Sequence, residues 1–287
     1  MTEADETIAI AKTQEIERYG VMGYPISHSR SPMIHRLFSL QTNEKVQYES
    51  LEVSPDQLET AILQFRRTGG RGLNITVPHK SEVVRLVDQL SDRAAIAGAA
   101  NTLSFKRGEI LGDNTDGVGL IRDLGVNLDV AIEDARILVL GAGGATRGIV
   151  GPLLEMKPEL LQIANRSLAK AEIIANIFAS QGNIAACQFD AIPVLKPYDL
   201  VINATSAGLR GEEPPWPDAA VSSNTFCYDL SYGLKPTPFS LWAKDAGAAK
   251  SVMGWGMLVE QAAESFNIWR GVRPETAPVL KGMPVEV

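Results

Sequence analysis

Short apolar runs alternate with amphipathic segments through the first third of the chain, which predicts strands and helices in turn. YGVMGYP, VQYESLEV and LNITV are the predicted strands. Ser31-Pro32 and Ser54-Pro55 each open a predicted helix, with serine as the N-cap and proline in the first turn. The apolar stripe of the first helix consists of Met33, Ile34, Leu37 and Phe38. NTLSFKRGEILGDN predicts a hairpin that turns at Arg107-Gly108, so we expect a mixed sheet.

From about Arg136 the pattern becomes purely strand, helix, strand. RILVLGAGGATRGIVGPLLEM and LLQIANRSLAKAEIIANIFAS each predict a strand, a loop and a helix. DLVINATSAG and FCYDLSY each carry an apolar strand into a polar loop. Such uniformly apolar strands favour a parallel sheet that is covered on both faces. We therefore expect two α/β units, with the boundary near residue 120 in TDGVGLIRDLG.

The last predicted helix, GWGMLVEQAAESFNIWRG, has apolar positions at helical spacing. They include Met257, Leu258, Ala262 and Phe266. The helix either caps the second unit or returns to the first, and the sequence leaves both open.

Composition narrows the class of protein. The 287 residues are 45% hydrophobic and 21% charged, which is typical of a globular chain large enough for two domains. A net charge of -7 without a long basic block argues against nucleic acid and anionic membrane as partners. No apolar run approaches the roughly 20 residues that span a bilayer, and the start lacks signal-peptide features, so we expect a cytoplasmic protein. Cys187 and Cys227 lie far apart outside any metal-binding pattern, which predicts neither a metal site nor a disulfide.

A glycine-rich loop indicates a dinucleotide site. In VLGAGGATRG a strand ends at Gly141, and Gly143 and Gly144 open a helix whose free N–H groups suit a pyrophosphate. Thr146 occupies the third glycine position of the usual pattern, so the loop alone is also compatible with a plain tight turn.

The following strand ends in NRS rather than in the acidic residue that bonds the ribose of NAD. Arg166 can bond a 2′-phosphate bidentately, and Ser167 and Lys170 lie beside it in the sequence. The alternative is a solvated arginine beside an ordinary N-cap serine. The two loops together favour NADP over NAD.

Several polar residues stand at strand and helix ends in the first unit. Ser29 and Ser31 in SHSRSP either cap a helix or donate hydrogen bonds to a carboxylate. NITVPHK adds Thr76, and Pro78 ends the strand so that Lys80 lies at a strand-to-helix junction. A surface lysine has no need of so rigid a setting, which favours a functional amine.

Asn101 in GAANTLSF stands at a strand start, a suitable place for an uncharged donor and acceptor. Asp116 in GDNTDG has an alternative role as a helix N-cap or a turn former.

Eight motifs occur in one order: GYPISHSRSPMIH, NITVPHK, GAANTL, NTDG, GAGGATRG, NRS, NATSAG and GMLVEQA. Together they resemble the shikimate dehydrogenase family, which reduces 3-dehydroshikimate to shikimate with NADPH on the way to chorismate and the aromatic amino acids. The resemblance runs from about Tyr19 to Gly271. It implies two α/β domains separated by a cleft. The mixed-sheet substrate domain would span residues 18–119, completed by 256–287, and the Rossmann-like NADP domain residues 120–255.

The resemblance also implies residue roles. Lys80 and Asp116 would form the catalytic pair. The substrate would be bound by Ser29, Ser31, Thr76, Asn101, Tyr232 and Gln261. NADP would be bound by Gly141, Ala142, Gly143, Gly144, Ala145, Asn165, Arg166, Ser167, Lys170, Thr205, Ser206, Gly254 and Met257. No metal is implied.

Reducing a ketone requires a hydride on carbon and a proton on oxygen, and a lysine ammonium both stabilises an alkoxide and donates a proton. The sequence leaves open whether Lys80 alone is the acid. It also leaves open a quinate/shikimate enzyme that uses NAD, a methylenetetrahydrofolate-type dehydrogenase, and a non-catalytic NADP-binding sensor. The expected partner is a small molecule, and the protein is expected to be a monomer or a homodimer.

Overall fold

The described residues form two six-stranded β-sheets, one mixed and one parallel. The computed structural model describes residues 15–193, 196–205, 214 and 216–282. This architecture confirms the α/β class with a mixed sheet followed by a parallel one.

The mixed sheet belongs to the first part of the chain. Its strands are β1 (Glu17–Gly23), β2 (Val46–Glu52), β3 (Gly70–Ile75), β4 (Gln89–Leu90), β5 (Thr102–Lys106) and β6 (Glu109–Asp113), in the order β2-β1-β3-β5-β6-β4. Its helices are α1 (Ser31–Thr42), α2 (Leu58–Arg67) and α3 (Asp92–Ala97). The hairpin between β5 and β6 is confirmed: Arg107 and Gly108 have φ of 51° and 87°, the positive values that a two-residue type I′ turn requires.

The parallel sheet belongs to the second part. Its strands are β7 (Arg136–Leu140), β8 (Leu160–Ala164), β9 (Ile184–Cys187), β10 (Leu200–Asn203), β11 (Phe226–Asp229) and β12 (Lys250–Met253). The helices are α4 (Asp116–Arg122), which continues into a π-helical turn at Asp123–Asn127, α5 (Gly144–Glu155), α6 (Leu168–Phe178) and α7 (Pro238–Asp245). The strand order is β12-β11-β10-β7-β8-β9. The chain adds β8 and β9 on one side of β7 and then returns to add β10, β11 and β12 on the other side, so the order of addition reverses between β7 and β10. Ligands of open α/β sheets bind at the carboxyl edge beside such a reversal.

Burial explains why these strands are apolar throughout. Ile137 and Val139 of β7 pack into one hydrophobic cluster, whereas Leu138 and Leu140 pack into another on the opposite face. All four side chains are fully buried. Each such burial is worth about 1.5–3 kcal/mol relative to exposure, so the continuous apolar run is the expected sequence of a strand covered on both faces.

The last long helix returns to the first sheet. Helix α8 (Trp255–Arg270) buries Val259 and Phe266 in one cluster with Ile34 and Phe38 of α1. A short helix α9 (Ala277–Leu280) follows it. The expected boundary near residue 120 falls inside α4 rather than in a linker, and the domain limits stay a prediction.

Two local predictions were wrong. Helix α1 begins with Ser31 as its first residue, Arg30 is the N-cap, and no side chain caps it. Its buried face is Ile34, His35 and Phe38, whereas Met33 and Leu37 are about 40% exposed. The reason is His35, whose ring lies against Tyr48 and takes the inward position that the apolar stripe assigned to its neighbours.

Strand β3 begins at Gly70, three residues before the predicted strand LNITV, and it follows closely on α2, which ends at Arg67. A Cβ at Gly70 would lie 2.2 Å from the Phe65 ring, and one at Gly72 would lie 2.5 Å from the Trp269 indole nitrogen. Both positions therefore require glycine because the rings of Phe65 and Trp269 pack directly against the strand there.

Candidate active site

Lys80 lies on a turn after β3 that is held in place by hydrogen bonds. The His79 N–H donates to the carbonyl of Thr76 at 2.9 Å, and the buried His79 ring lies 2.7 Å from the Val53 carbonyl through Nε2. Burial lowers the pKa of His79, which keeps the ring neutral. The Ala100 N–H donates to the Lys80 carbonyl at 2.8 Å. The lysine backbone is thus held from both sides.

Lys80 and Asp116 form an ion pair. The distance from Nζ to Oδ2 is 2.7 Å, and the two side chains are only 13% and 4% exposed. Asp116 is the first residue of α4, where the helix dipole favours a carboxylate. An ammonium has three donors, so the lysine can bind its aspartate and still present N–H groups to a ligand oxygen.

Asn101 and Gln261 complete this cluster. Asn101 donates through Nδ2 to Asp116 Oδ1 at 2.9 Å, and its Nδ2 lies 3.2 Å from Gln261 Oε1. Its own Oδ1 accepts the Thr115 N–H at 2.8 Å. The structure therefore brings together four residues that lie far apart in the sequence. Thr76 is half-buried on the same turn as Lys80, four residues before it.

Ser29, Ser31 and Tyr232 meet where the two halves of the chain adjoin. The Ser31 N–H donates to Ser29 Oγ at 3.3 Å, and Ser31 is buried. Burial raises the pKa of Tyr232, and hydrogen bonds to the Arg30 backbone and to Ser29 oppose that rise. The adjoining open cavity is lined by His28, Arg30, Tyr232, Gly233, Leu234 and Lys235. Its charged lining is basic, which suits an anionic group.

The glycine loop passes directly beside Lys80. Gly141 has φ of 109°, a conformation that favours glycine, and a Cβ there would lie 3.0 Å from the Ala204 carbonyl oxygen. A Cβ at Gly144 would lie 3.0 Å from Lys80 Cβ, whereas Gly143 faces open space. Thr146, at the third glycine position, is buried and donates its hydroxyl to the Gly141 carbonyl at 2.9 Å. The threonine thus braces the loop, which leaves a cradle without side chains above the first turn of α5.

The NRS segment lies at the carboxyl end of β8, next to that loop. Asn165 Nδ2 donates to the Ser167 carbonyl at 2.9 Å, and Ser167 is the N-cap of α6. Arg166, Ser167 and Lys170 are exposed, so their polar groups are accessible to a ligand.

Thr205, Gly254 and Met257 follow strands of the same sheet edge. Thr205 donates its hydroxyl to Asn203 Oδ1 at 2.8 Å, and Gly254 is the N-cap of α8. The Met257 N–H donates to the Tyr228 hydroxyl at 3.2 Å. Tyr228 in turn donates to the buried carboxylate of Asp123 at 2.6 Å, and burial raises the pKa of Asp123. Ser206 lies outside the described residues.

Sequence reasoning missed the polar residues behind the catalytic cluster, which are Tyr48, Asn74, Thr102, Thr115 and Ser265. Thr102 and Thr115 stand directly beside Asn101 and Asp116 in two of the quoted motifs. Ser265 lies one helical turn after Gln261 on α8. Their closeness in sequence to Asn101, Asp116 and Gln261 was the signal from which these three residues could have been predicted. The contacts among them join residues up to 191 positions apart and are not readable from spacing.

Among the described residues, no group of three or more His, Cys, Asp and Glu side chains is placed to hold a metal ion. Cys187 and Cys227 are both buried. No described helix has the length and apolar character required to cross a membrane.

Three family models match the chain. The shikimate dehydrogenase substrate binding domain matches residues 21–103, shikimate / quinate 5-dehydrogenase matches residues 126–210, and the shikimate 5′-dehydrogenase C-terminal domain matches residues 254–281. A curated relative, shikimate dehydrogenase (NADP(+)) of Alkalilimnicola ehrlichii, is 52% identical over 94% of this chain and 99% of its own length.

Solved structures have the same architecture. An Ael1 enzyme from Pseudomonas putida superposes with a TM-score of 0.85 at 43% identity, over 94% of this chain and 100% of the other. Shikimate 5-dehydrogenase from Thermus thermophilus, solved with NADP(H) and shikimate, has a TM-score of 0.81 at 30% identity over 93% of this chain and 98% of its own.

Proposed function

The chain belongs to the shikimate dehydrogenase family, and we propose that it reduces 3-dehydroshikimate reversibly to shikimate with NADPH through Lys80 and Asp116. One observation carries the assignment of the catalytic pair. The ammonium of Lys80 is 2.7 Å from a buried carboxylate, and the aliphatic part of the same side chain lies against Gly144, the first residue of the glycine-loop helix. A proton donor is therefore adjacent to the cradle expected to hold the cofactor.

The protein's part in the reaction follows from this cluster. NADPH, when bound, supplies the hydride. Lys80 presents N–H groups to the ketone oxygen, stabilises the negative charge that develops there and donates a proton. Asp116 orients the ammonium and is placed to accept a hydrogen bond from a neighbouring ring hydroxyl. Asn101 and Gln261 supply uncharged donors and acceptors around the same ring.

The loops fit NADP in two respects. The open backbone from Gly141 to Ala145 suits a pyrophosphate, because no Cβ at Gly143 blocks its approach. Arg166, Ser167 and Lys170 offer two cations and a hydroxyl to a 2′-phosphate, with Asn165 bracing their loop. In this proposal Thr205, Ser206, Gly254 and Met257 border the nicotinamide.

The proposed carboxylate site comprises Ser29 and Ser31, with Tyr232 reaching them from the other half. The basic lining of the adjoining cavity supports an anionic ligand there, against the overall charge of -7. Thr76, on the Lys80 turn, completes the proposed substrate set. We propose the cytoplasm as the compartment and a monomer or homodimer as the state, following the expectation for the family.

A panel of two cofactors and two substrates tests this function. NADPH consumption, followed at its nicotinamide absorbance band, is expected with 3-dehydroshikimate and to be much faster than NADH consumption. Quinate with NAD is expected to react slowly or not at all. Preferred oxidation of quinate with NAD would instead identify a quinate enzyme. NADPH binding without any turnover would favour a sensor.

A further inference from the structure

The amide of Asn101 has to point one way to support the catalytic pair. Its Nδ2 faces Asp116 Oδ1 at 2.9 Å and its Oδ1 faces away. Rotated by half a turn, the amide would set its own oxygen against the carboxylate, which would pair two acceptors in a buried site. The site therefore depends on whatever fixes the orientation of this amide.

Three donors lie within reach of the amide oxygen, since the Thr115 hydroxyl is also 3.2 Å from it. The Thr115 N–H donates to Asn101 Oδ1 at 2.8 Å, and the Thr102 hydroxyl donates to the same oxygen at 2.9 Å. A backbone N–H can only donate. A hydroxyl can also accept, so Thr102 supports this orientation only if its own proton is directed at Asn101.

Neighbouring groups direct that proton. Thr102 Oγ1 accepts from Asn74 Nδ2, which can only donate, at 3.2 Å, and it lies 2.8 Å from Ser265 Oγ, whose own hydroxyl donates to the Gln261 carbonyl at 3.0 Å. Asn74 is itself oriented, because Tyr48 donates to its Oδ1 at 2.7 Å. Thr102 and Ser265 are essentially inaccessible to solvent, so water does not compete for these bonds. With its acceptor side occupied, Thr102 donates to Asn101.

We propose that Thr102, held by Asn74 of β3, is a positioning residue that sets the amide of Asn101 and through it the carboxylate of Asp116. The inference rests on the proposed function of this site.

A pair of substitutions separates the hydroxyl from its packing. Thr102→Val keeps the shape and removes the hydroxyl, whereas Thr102→Ser keeps the hydroxyl and removes the methyl. We expect Thr102→Val to lower kcat for 3-dehydroshikimate roughly tenfold, the worth of a buried hydrogen bond, with the KM for NADPH unchanged. Thr102→Ser is expected to restore kcat to within about twofold of the wild type.

Thr225→Val is the matched control. Thr225 is also fully buried and donates its hydroxyl to the Tyr198 carbonyl at 2.6 Å. It precedes β11 and so lies at the amino ends of the parallel strands, whereas the glycine loop lies at their carboxyl ends. We expect this variant to lose thermal stability comparably while keeping the wild-type kcat.

Three results would overturn the positioning role: an unchanged kcat in Thr102→Val, an equal loss of kcat in Thr102→Ser, or the same loss in Thr225→Val. If Thr102→Val does not fold, Thr102→Ala decides, since it also removes the hydroxyl and the proposal requires a several-fold loss of kcat there too. A wild-type protein that is inactive with 3-dehydroshikimate would refute the proposed function itself, which distinguishes the two failures.

Discussion

At position 166 the chain carries a guanidinium at the end of the second strand of its parallel sheet, where NAD-binding folds carry a carboxylate. The side chain is exposed beside Ser167 and Lys170. We expect this residue to favour NADP over NAD, because its guanidinium can bond a 2′-phosphate.

Reversing the charge of Arg166 is expected to alter cofactor preference. Arg166→Asp should weaken NADPH binding about 10- to 100-fold, because a charge-assisted bidentate contact becomes a repulsion, and should affect NADH far less. Titration of both cofactors against the variant measures this. Lys157→Asp is the control, since Lys157 follows the far end of α5 and has φ of 55°, which aspartate tolerates. Equal losses for both cofactors would contradict the NADP assignment.

Single residues were predictable where a motif concentrates chemistry. Lys80, Asn101 and Asp116 were singled out from their motifs, and in the structure Lys80 and Asn101 each donate a hydrogen bond to Asp116. Thr102 and Ser265 were not identified, because a buried hydroxyl differs from any other only through partners that sequence distance conceals.

At the scale of elements, helix α5 packs close to Asn114 and Asp116 because Gly148 has no side chain. A Cβ at Gly148 would lie 2.8 Å from Asn114 Oδ1 and 3.1 Å from Asp116 Oδ2. Asn114 Oδ1 also accepts the Asp116 N–H at 3.1 Å. The glycine therefore lets the cofactor-loop helix and the helix of Asp116 pack closely.

Gly148→Ala is expected to displace Asp116. Overpacking of this kind costs about 1–3 kcal/mol, and we expect a loss of stability together with at least a several-fold fall in kcat. Thermal unfolding and steady-state kinetics measure the two effects. Gly125→Ala should change neither adversely, because no atom lies within 4 Å of its added Cβ. Wild-type kinetics in Gly148→Ala would show that the close approach is unimportant.

Elements with a strong period were predicted well and short ones were not. The strands β4, β9 and β12 were not predicted: β4 has two residues, and the four residues of β9 (IAAC) and of β12 (KSVM) lack the run of large apolar side chains found in β10 (LVIN). The place of α8 was left open because its apolar stripe would suit either unit. Its actual position is decided by contacts with Ile34 and Phe38, which belong to a helix more than 200 residues earlier.

At the scale of the whole molecule, a buried carboxylate ties the two halves together. Glu260 of α8 is inaccessible to solvent and accepts hydrogen bonds from Thr276 at 2.7 Å, Arg273 at 2.9 Å and Arg122 at 3.0 Å. Burial alone would raise the pKa of Glu260, but these bonds hold it below the ordinary value of 4.5. The cluster joins α4, α8 and the segment that follows α8.

Glu260→Gln is expected to lower the free energy of unfolding by about 2–3 kcal/mol, less than for a fully buried pair because Arg122 is 41% exposed. Since the folded-state pKa is lowered, this stabilisation is present above pH 4.5 and is lost as pH falls through the folded-state value. Urea denaturation at pH 7 and below pH 4 should show the difference from wild type shrinking. Glu159→Gln removes a pair with Arg136 in which the carboxylate is 53% exposed and the N–O distance is 3.3 Å, and it should cost about 1 kcal/mol or less.

The central claim is that Lys80 performs the proton chemistry beside a separate cofactor cradle. The most direct measurement is turnover of 3-dehydroshikimate with NADPH by wild type, Lys80→Ala and Lys45→Ala, together with NADPH titration of each. Lys45 is exposed and serves as the matched lysine. We predict that Lys80→Ala binds NADPH normally and loses about 100- to 10,000-fold in kcat, whereas Lys45→Ala keeps both. Near-normal turnover in Lys80→Ala would contradict the account.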